Sequence, residues 1–542
     1  MKSTIALVAI STGIVISTSG PWDSYIQSPA TRDVISEQFF RTSGNMSGVI
    51  TVQFGASTTS GSQLGAAFTE NKQYIGIASN RATGPVLDGT LYAPAEPKSS
   101  FTFGRELGTR RRVWYAGAYT VQLCGISASE VHGAKRDRTP WPGDYGVATL
   151  SKAVSLNGDD LVSVRNALQS IIAIQASNGK FPYAGTLLVW GRVQRAFEFT
   201  VAKVDTSDSL LNVTDLSDWG RVGQGGKNTA ASSLLYDALV SYVQLADALG
   251  YGELNYQGKT FSKIAEDLKS AVNSQLWDDS VGLFRDNTTA LGAEFYPQDG
   301  NVLAVHFNVT DSLERAATIS HSLTARWNEF GAVSPETLGS ISPFMTSLEI
   351  DAHLRAHPSY ATLATAIMRR QWSYMLNNFG KSTTMEAFYY TGELKCPFYE
   401  AVETNLGSYI SHAHSWSTGM TASLTLHIGG LNPVEDAGRT WEFVPHAAGA
   451  SVGHFADSFF TATITTPQDT TGSISVPTLG KSLETIEISV NGNAIWSNST
   501  ALWDGFGFAE GSNDYVTVSD VPSRGSFTIV AKEVSANTAT SC

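Results

Sequence analysis

Hydrophobic and polar positions change their period twice along the chain. From about Ser47 to Leu123 apolar residues alternate with polar ones in short runs, Val49-Ile50-Thr51-Val52-Gln53-Phe54, Gln73-Tyr74-Ile75-Gly76-Ile77 and Phe101-Thr102-Phe103, set apart by Gly, Ser, Asn and Pro. Alternation puts every second side chain on one face of a sheet, so this stretch predicts strands of a sandwich-like module. From about Tyr145 to Ile428 the spacing is three or four, in Leu161–Gln175, Ala230–Leu249, Phe261–Leu276, Ser312–Trp327, Tyr360–Leu376 and Tyr399–Leu426. That spacing marks one face of a helix. Neighbouring pairs such as Asn228–Leu249 and Thr260–Trp277 predict αα-hairpins stacked around a common axis, a toroid whose loops at one end can wall a pocket. After Gly430 the period returns to two, at Phe459, Thr461 and Thr463, at Thr485, Glu487 and Ser489, and at Thr517 and Ser519. The expected organisation is a leader (1–20), an N-terminal β-module (21–130), a central helical domain (131–430) and a C-terminal β-module (431–542).

Composition narrows the chemistry. With 42% hydrophobic and 16% charged residues, the 542-residue chain has ample apolar surface to bury and no signature of disorder. Lys and Arg number 36 against 49 Asp and Glu, a net charge of −13, the opposite of what a phosphate backbone attracts, so no nucleic-acid partner is expected. Low charge with 49 Gly and 12 Trp suits a secreted protein with neutral, polar ligands, carbohydrate foremost. Cys124, Cys396 and Cys542 allow at most one disulfide and no four-Cys zinc site. Met1-Lys2, the apolar run Ile5 to Ile16 and the small residues Ser17 to Gly20 read as a secretory leader too short to span a membrane. The expectation is an exported protein, free of the membrane once that leader is removed, with N-glycosylation sequons at Asn45, Asn212, Asn287, Asn308 and Asn498.

Three blocks concentrate reactive side chains. Lys135-Arg136-Asp137-Arg138-Thr139-Pro140-Trp141-Pro142-Gly143-Asp144 holds two carboxylates seven residues apart, with an aromatic face and two prolines that keep the loop extended. Ser382-Thr383-Thr384-Met385-Glu386-Ala387-Phe388-Tyr389-Tyr390 sets one Glu between polar and aromatic residues, and Ser411-His412-Ala413-His414-Ser415-Trp416 follows it. The third, Asp218-Trp219-Gly220-Arg221 running into Gly223-Gln224-Gly225-Gly226, has neither the order nor the preceding strand of a phosphate loop, and Asn228 suits the N-cap of the helix behind it. His-x-His without HExxH gives no metal site, no cofactor motif is present, and GxSxG is absent. Two carboxylates acting as acid and base remain, which is the logic of glycoside hydrolysis.

These blocks resemble glycoside hydrolase family 78, the α-L-rhamnosidases. The family's Arg-Asp-Glu-Arg-x-Gly-Trp-x-Gly-Asp aligns its Trp with Trp141, its last Asp with Asp144 and its general-acid Glu with Asp137. Its Thr-Thr-x-Trp-Glu is similar to Thr383-Thr384-Met385-Glu386, and its later His followed by Gly-Trp-Ser matches His414-Ser415-Trp416-Ser417. The resemblance implies an (α/α)6 barrel flanked by β-sandwiches and an inverting hydrolase for terminal α-L-rhamnose, with Asp137 as acid and Glu386 as base. It implies walls from Trp141, Trp219, Tyr389 and Trp416, and hydroxyl contacts from Asp144, Arg221 and His414, with Arg136 and Asp218 completing the carbohydrate-binding set. The chain departs from the pattern in carrying Asp137 for Glu, in lacking the Trp before Glu386, and in having His132 where relatives have Asp. The segments near 120–135 and 179–204 are also short. The other readings are a different (α/α)6 carbohydrate-active enzyme, a uronide lyase included, and a non-catalytic sugar-binding homologue; no oligomeric state is implied.

Overall fold

The computed structural model describes strand segments between residues 3 and 92 and the chain from 108 to 534, apart from 127–128, 131–140, 156–162, 165, 168–189, 215–217, 222, 249, 358–359, 380–382, 400–409, 435–438, 447–457, 467–468, 479, 503–508, 513–514 and 522–524. Two compact units divide the chain. One comprises 1–102, 109–357 and 366–421, the other 103–108, 358–365 and 422–542.

The first unit begins with two four-stranded sheets. Ser3–Ile10 pairs antiparallel with Gly13–Thr18 and parallel with Val49–Phe54, which Gly89–Tyr92 borders, so the segment expected as a leader forms paired strands. Ser24–Gln27, Glu37–Thr42, Tyr74–Asn80 and Gln63–Phe68 make the other sheet in that order. The expected strand at 101–103 lies outside the described residues.

Helices follow: α1 (Gly108–Cys124), α2 (Pro142–Ser155), α3 (Trp190–Val201), α4 (Thr229–Ala248), α5 (Phe261–Gln275), α6 (Gln298–His306), α7 (Leu313–Leu323), α8 (Pro343–Ala356), α9 (Ala361–Asn378) and the short α10 (Gly419–Ser423). The α4/α5 hairpin forms where the periodicity predicts it. Leu235, Leu239, Tyr242 and Ala246 recur on one face of α4 and meet Phe261, Ile264, Ala265 and Leu268 of α5 in one core. Each large apolar side chain so buried contributes roughly 1.5–3 kcal/mol. Asn228 caps α4 by accepting from the Ala231 N–H at 2.9 Å, and Thr260 caps α5 by accepting from the Lys263 N–H at 3.2 Å.

Two expectations fail. The segment up to Leu123 was expected as strand, yet Gly108–Cys124 is helical. Its Val, Trp, Tyr and Thr favour strands locally, but Val113, Trp114, Ala118, Val121 and Cys124 line one buried stripe. Gly117 lets α10 approach so closely that a Cβ there would sit 1.9 Å from Thr421 Oγ1. Tyr399–Leu426 was expected as one helix. Its described parts are a 3₁₀ turn at Pro397–Tyr399, an irregular stretch from Ile410, a 3₁₀ turn at Ser415–Thr418, and α10 continued by a π turn at Leu424–Ile428. Here backbone groups bond sideways to another segment, described below, instead of to their own helix.

In the second unit two five-stranded sheets share one core. Ile474, Val476, Val516 and Val518 of one meet Ile486, Ile488, Val490, Trp496, Ile529 and Ala531 of the other. The alternating burial of Ile486–Val490 and Tyr515–Val521 matches the period of two in the sequence.

Candidate active site

Two of the sequence blocks lie side by side. Glu386 donates its N–H to Ser411 O at 2.8 Å, and His414 donates its own to Thr384 O at 2.9 Å. Thr383 Oγ1 donates to His412 O at 2.6 Å, Ser417 Oγ to Met385 O at 2.5 Å, and Trp416 Nε1 to Glu386 O at 2.9 Å. Thr120 Oγ1 of α1 accepts from Thr384 N at 2.9 Å, and Trp372 Nε1 of α9 donates to Ser417 O at 2.9 Å. Segments 25 or more positions apart are thereby fixed in one register, and nearly every group in them is buried.

The carboxylate of Glu386 is fully buried. Its Oε2 accepts the Ser411 N–H at 2.7 Å, and its Oε1 accepts the hydroxyl of Tyr399. A carboxylate out of water is tenable only when such donors surround it. His414, also buried, bridges to the Lys135–Asp144 block. Its Nε2 is 3.0 Å from Asp144 Oδ1 and its Nδ1 is 3.8 Å from Glu386 Oε2. Asp144 reaches that position because Trp141 and Pro142 start α2 there: Trp141 O accepts the Tyr145 N–H at 2.9 Å, and Pro142 supplies the fixed φ of a first helical residue. One imidazole thus lies between two carboxylates drawn from blocks more than 240 residues apart in the chain.

Aromatic rings extend the cluster. Phe344 of α8 stacks on Trp416 (centroids 5.2 Å, planes 13° apart), Trp219 meets Phe344 edge-on at 5.7 Å, and the His414 ring lies 4.6 Å from Trp416. Gly143 makes room for Phe344, whose ring would stand 3.1 Å from a Cβ there. Trp416 is 4% exposed and lies beneath the cluster, while Trp219 and Trp141 are half-buried.

Arg221 was expected to hold substrate hydroxyls and is instead an anchor. Its side chain is fully buried, with Nη2 2.7 Å from Asp286 Oδ1 and Nη1 2.9 Å from Asp299 Oδ2. Burial alone would depress the guanidinium, but Asp299 and then Asp286 hold its pKa above the ordinary value, so it stays charged. The same Asp299 Oδ2 accepts Trp219 Nε1 at 3.1 Å, and Asp286 also accepts from Asn228 and Asn287. Behind Asp299, Glu336 accepts the N–H groups of Gln298 and Asp299 at the start of α6, at 3.0 and 2.9 Å. Burial, and then the nearby Asp299, push Glu336 up to about 7 against those two bonds. The glycines of this loop take left-handed backbone, and at Gly220 (φ +121°) a Cβ would stand 3.3 Å from the Phe398 ring.

Asp218 is exposed and accepts its neighbour Trp219's N–H at 2.8 Å, an arrangement within its own loop. Tyr389 packs with Tyr390 at 4.4 Å and under Lys395 Nζ at 5.2 Å. Arg136 and Asp137 lie outside the described residues. Tyr399, Asp286, Asp299 and Phe344 were not singled out from the sequence. Tyr399 sits in a turn mistaken for helix, while the two aspartates carry no motif and show their role only as buried partners of Arg221. Among the described residues no group of three or more His, Cys, Asp or Glu could hold a metal ion, and no described helix is long and apolar enough to cross a membrane.

Asn212, Asn308 and Asn498 are exposed, whereas Asn287 is 4% exposed and donates to Asp286 at 2.9 Å. The sequon at Asn287 is therefore closed to a glycan in the folded protein.

No protein-family model and no curated protein matches the chain. Solved structures do. The α-L-rhamnosidase of Dictyoglumus thermophilum superposes with a TM-score of 0.64 at 16% identity, covering 94% of this chain and 63% of the other. That of Streptomyces avermitilis, solved with L-rhamnose, gives 0.61 at 13%, covering 94% and 53%. The GH78 rhamnosidase of Bacillus sp. GL1 gives 0.53 at 17%, covering 79% and 50%. The chain spans between half and just under two-thirds of the length of these proteins. In its fold, the chain is similar to the GH78 α-L-rhamnosidases.

Proposed function

We propose that this chain is an inverting glycoside hydrolase releasing terminal α-L-rhamnose, with Glu386 as general base and Asp137 as general acid. The observation that carries the reading is the convergence of Glu386, His414 and Asp144, three motif residues drawn from distant blocks, in one buried cluster that Trp416 and Phe344 link to half-buried Trp219. The rhamnosidase fold supports an (α/α)6 barrel as the scaffold. In the reaction, Asp137 gives its proton to the glycosidic oxygen as the C–O bond breaks. Glu386 takes a proton from the water whose oxygen bonds to the anomeric carbon from the opposite face, and no covalent intermediate forms. His414 stands 3.0 Å from Asp144 and 3.8 Å from Glu386, so its imidazole, when protonated, stabilises both carboxylates electrostatically. Export with loss of the leader belongs to the same proposal.

The test is an assay of wild type, Asp137→Asn and Glu386→Gln on a panel of aryl glycosides that includes p-nitrophenyl α-L-rhamnoside. The proton NMR spectrum of the first-formed product reports its anomer. Cleavage of the rhamnoside with inversion, and a loss of about 10²–10⁴-fold in each variant, is expected. Full activity in Glu386→Gln, retention, or binding without turnover would overturn the proposal.

A further inference from the structure

We propose that Tyr399 is a positioning residue of this site, its hydroxyl donating to Oε1 of Glu386 to keep that carboxylate ionised and aimed. The role rests on Glu386 being the base. Tyr399 falls in no motif, yet its placement is closely determined. Pro397–Tyr399 is a 3₁₀ turn closed by the Tyr399 N–H on Cys396 O at 3.0 Å, and the neighbouring Phe398 ring packs 4.4 Å from Tyr399 and lies over Gly220 of the Trp219 loop. The turn is thereby wedged between the aromatic edge of the site and the catalytic carboxylate. The groups facing Glu386 include the Tyr399 hydroxyl, the Ser411 N–H, and His414 with Asp144 behind it.

The two oxygens of Glu386 then have different work. Oε2 is taken by a backbone donor from the Ser411 segment, which fixes the carboxylate's plane. Oε1 receives a side-chain hydroxyl, and a carboxylate oxygen, with two lone pairs, can accept a second bond from the attacking water. Tyr399 retains its own proton throughout: water loses one proton to Glu386, and the phenol only donates a hydrogen bond. Such a bond favours the charged form of the acceptor and lowers its pKa. Removing it raises that pKa, so the fraction of Glu386 able to act as base falls first on the acid side.

The experiment compares Tyr399→Phe with wild type in the pH dependence of kcat/KM on whichever aryl glycoside the enzyme cleaves. The acidic limb is expected to move to higher pH by about one unit, the usual worth of one hydrogen bond to a charged group, with KM unmoved. In parallel, the ¹³C carboxyl titration of Glu386, assigned by its loss in Glu386→Gln, is expected to show the same upward shift with no substrate present. An unmoved limb and an unmoved titration midpoint overturn the proposal, as does a rise in KM with the limb in place, which would make Tyr399 a sugar contact. The outcomes separate from those of the parent reading. If Glu386→Gln cleaves like wild type, the base assignment falls, whereas a dead Glu386→Gln beside an unshifted Tyr399→Phe removes Tyr399 alone.

Discussion

Replacing Arg221 with Met keeps the length of the side chain and removes its charge, leaving two buried aspartates facing each other without a cation between them. The guanidinium is fully buried, and Asp286 and Asp299 are 4% and 1% exposed in their side chains, so water cannot stand in for it. Breaking a buried pair from one side costs about 3–5 kcal/mol, because the surviving charge is stranded. With a urea m-value of about 3 kcal/mol/M or more for a unit of this size, that is a loss of roughly 1 M in midpoint. The pH dependence follows from the same geometry. In wild type, burial raises Asp286 while Arg221 pulls it down; without Arg221 the pull is gone and the folded-state pKa climbs further above the unfolded one. A carboxylate raised in the folded state penalises folding in full above that pKa, and the penalty shrinks as pH falls below it, vanishing near the unfolded-state value. The deficit of Arg221→Met against wild type is therefore greatest at pH 8 and shrinks toward pH 5. Urea unfolding followed by tryptophan fluorescence at both pH values measures it. A deficit below about 1 kcal/mol at pH 8, the level of an exposed pair, or one that grows on acidification, refutes the account of Arg221 as the anchor of its loop.

Glu336 makes a second pH prediction. Raised to about 7, it costs the fold increasingly as pH climbs from its unfolded value toward 7, up to about 3 kcal/mol, so wild-type stability falls over that interval and Glu336→Gln, unable to ionise, loses that part of the slope; an unchanged slope counts against the assignment. Trp219→Ala removes a half-buried ring and its bond to Asp299; under the proposed function it is expected to raise KM for an aryl glycoside about tenfold, with a smaller change in kcat, in steady-state assays. Gly220→Ala forces a Cβ onto a φ of +121° against Phe398, and thermal melts should show a loss of about 1–3 kcal/mol. On secretion from a glycosylating host, glycopeptide mapping is expected to find sugar at exposed Asn212, Asn308 or Asn498 and none at Asn287.

What the sequence shows of this fold depends on whether a helix has two unlike faces. The α4/α5 hairpin is plain because its stripe of Leu235, Leu239 and Tyr242 meets Phe261, Ile264 and Leu268, and the exposed face of α5 stays polar. The helix α8 gives no such signal, since Phe344, Met345, Thr346, Ser347, Glu349, Ile350, Asp351 and His353 are all buried and its polar residues point inward. Glu349 there accepts from Gln298 at 2.5 Å and from Trp327 at 2.6 Å, and His353 meets Ser320 at 2.5 Å, so hydrogen bonding replaces amphipathicity as the reason for burial. The candidate site divides in the same way. Glu386, His414 and Asp144 are legible because a carboxylate or imidazole among small polar and aromatic residues has a recognisable local pattern. Asp286, Asp299 and Tyr399 are not, because each acts through a partner more than ten positions away. In a chain where only 16% of residues are charged, placing Arg221, Asp286, Asp299, Glu336 and Glu349 in the interior carries a desolvation cost that apolar side chains of the same volume would avoid. The bonds these groups make show what they supply in return: a fixed start for α6, a fixed Trp219 and a fixed glycine loop. Such rigidity leaves the Trp219 ring and the start of α6 one arrangement each, because a buried polar network is favourable only when every member keeps its partner.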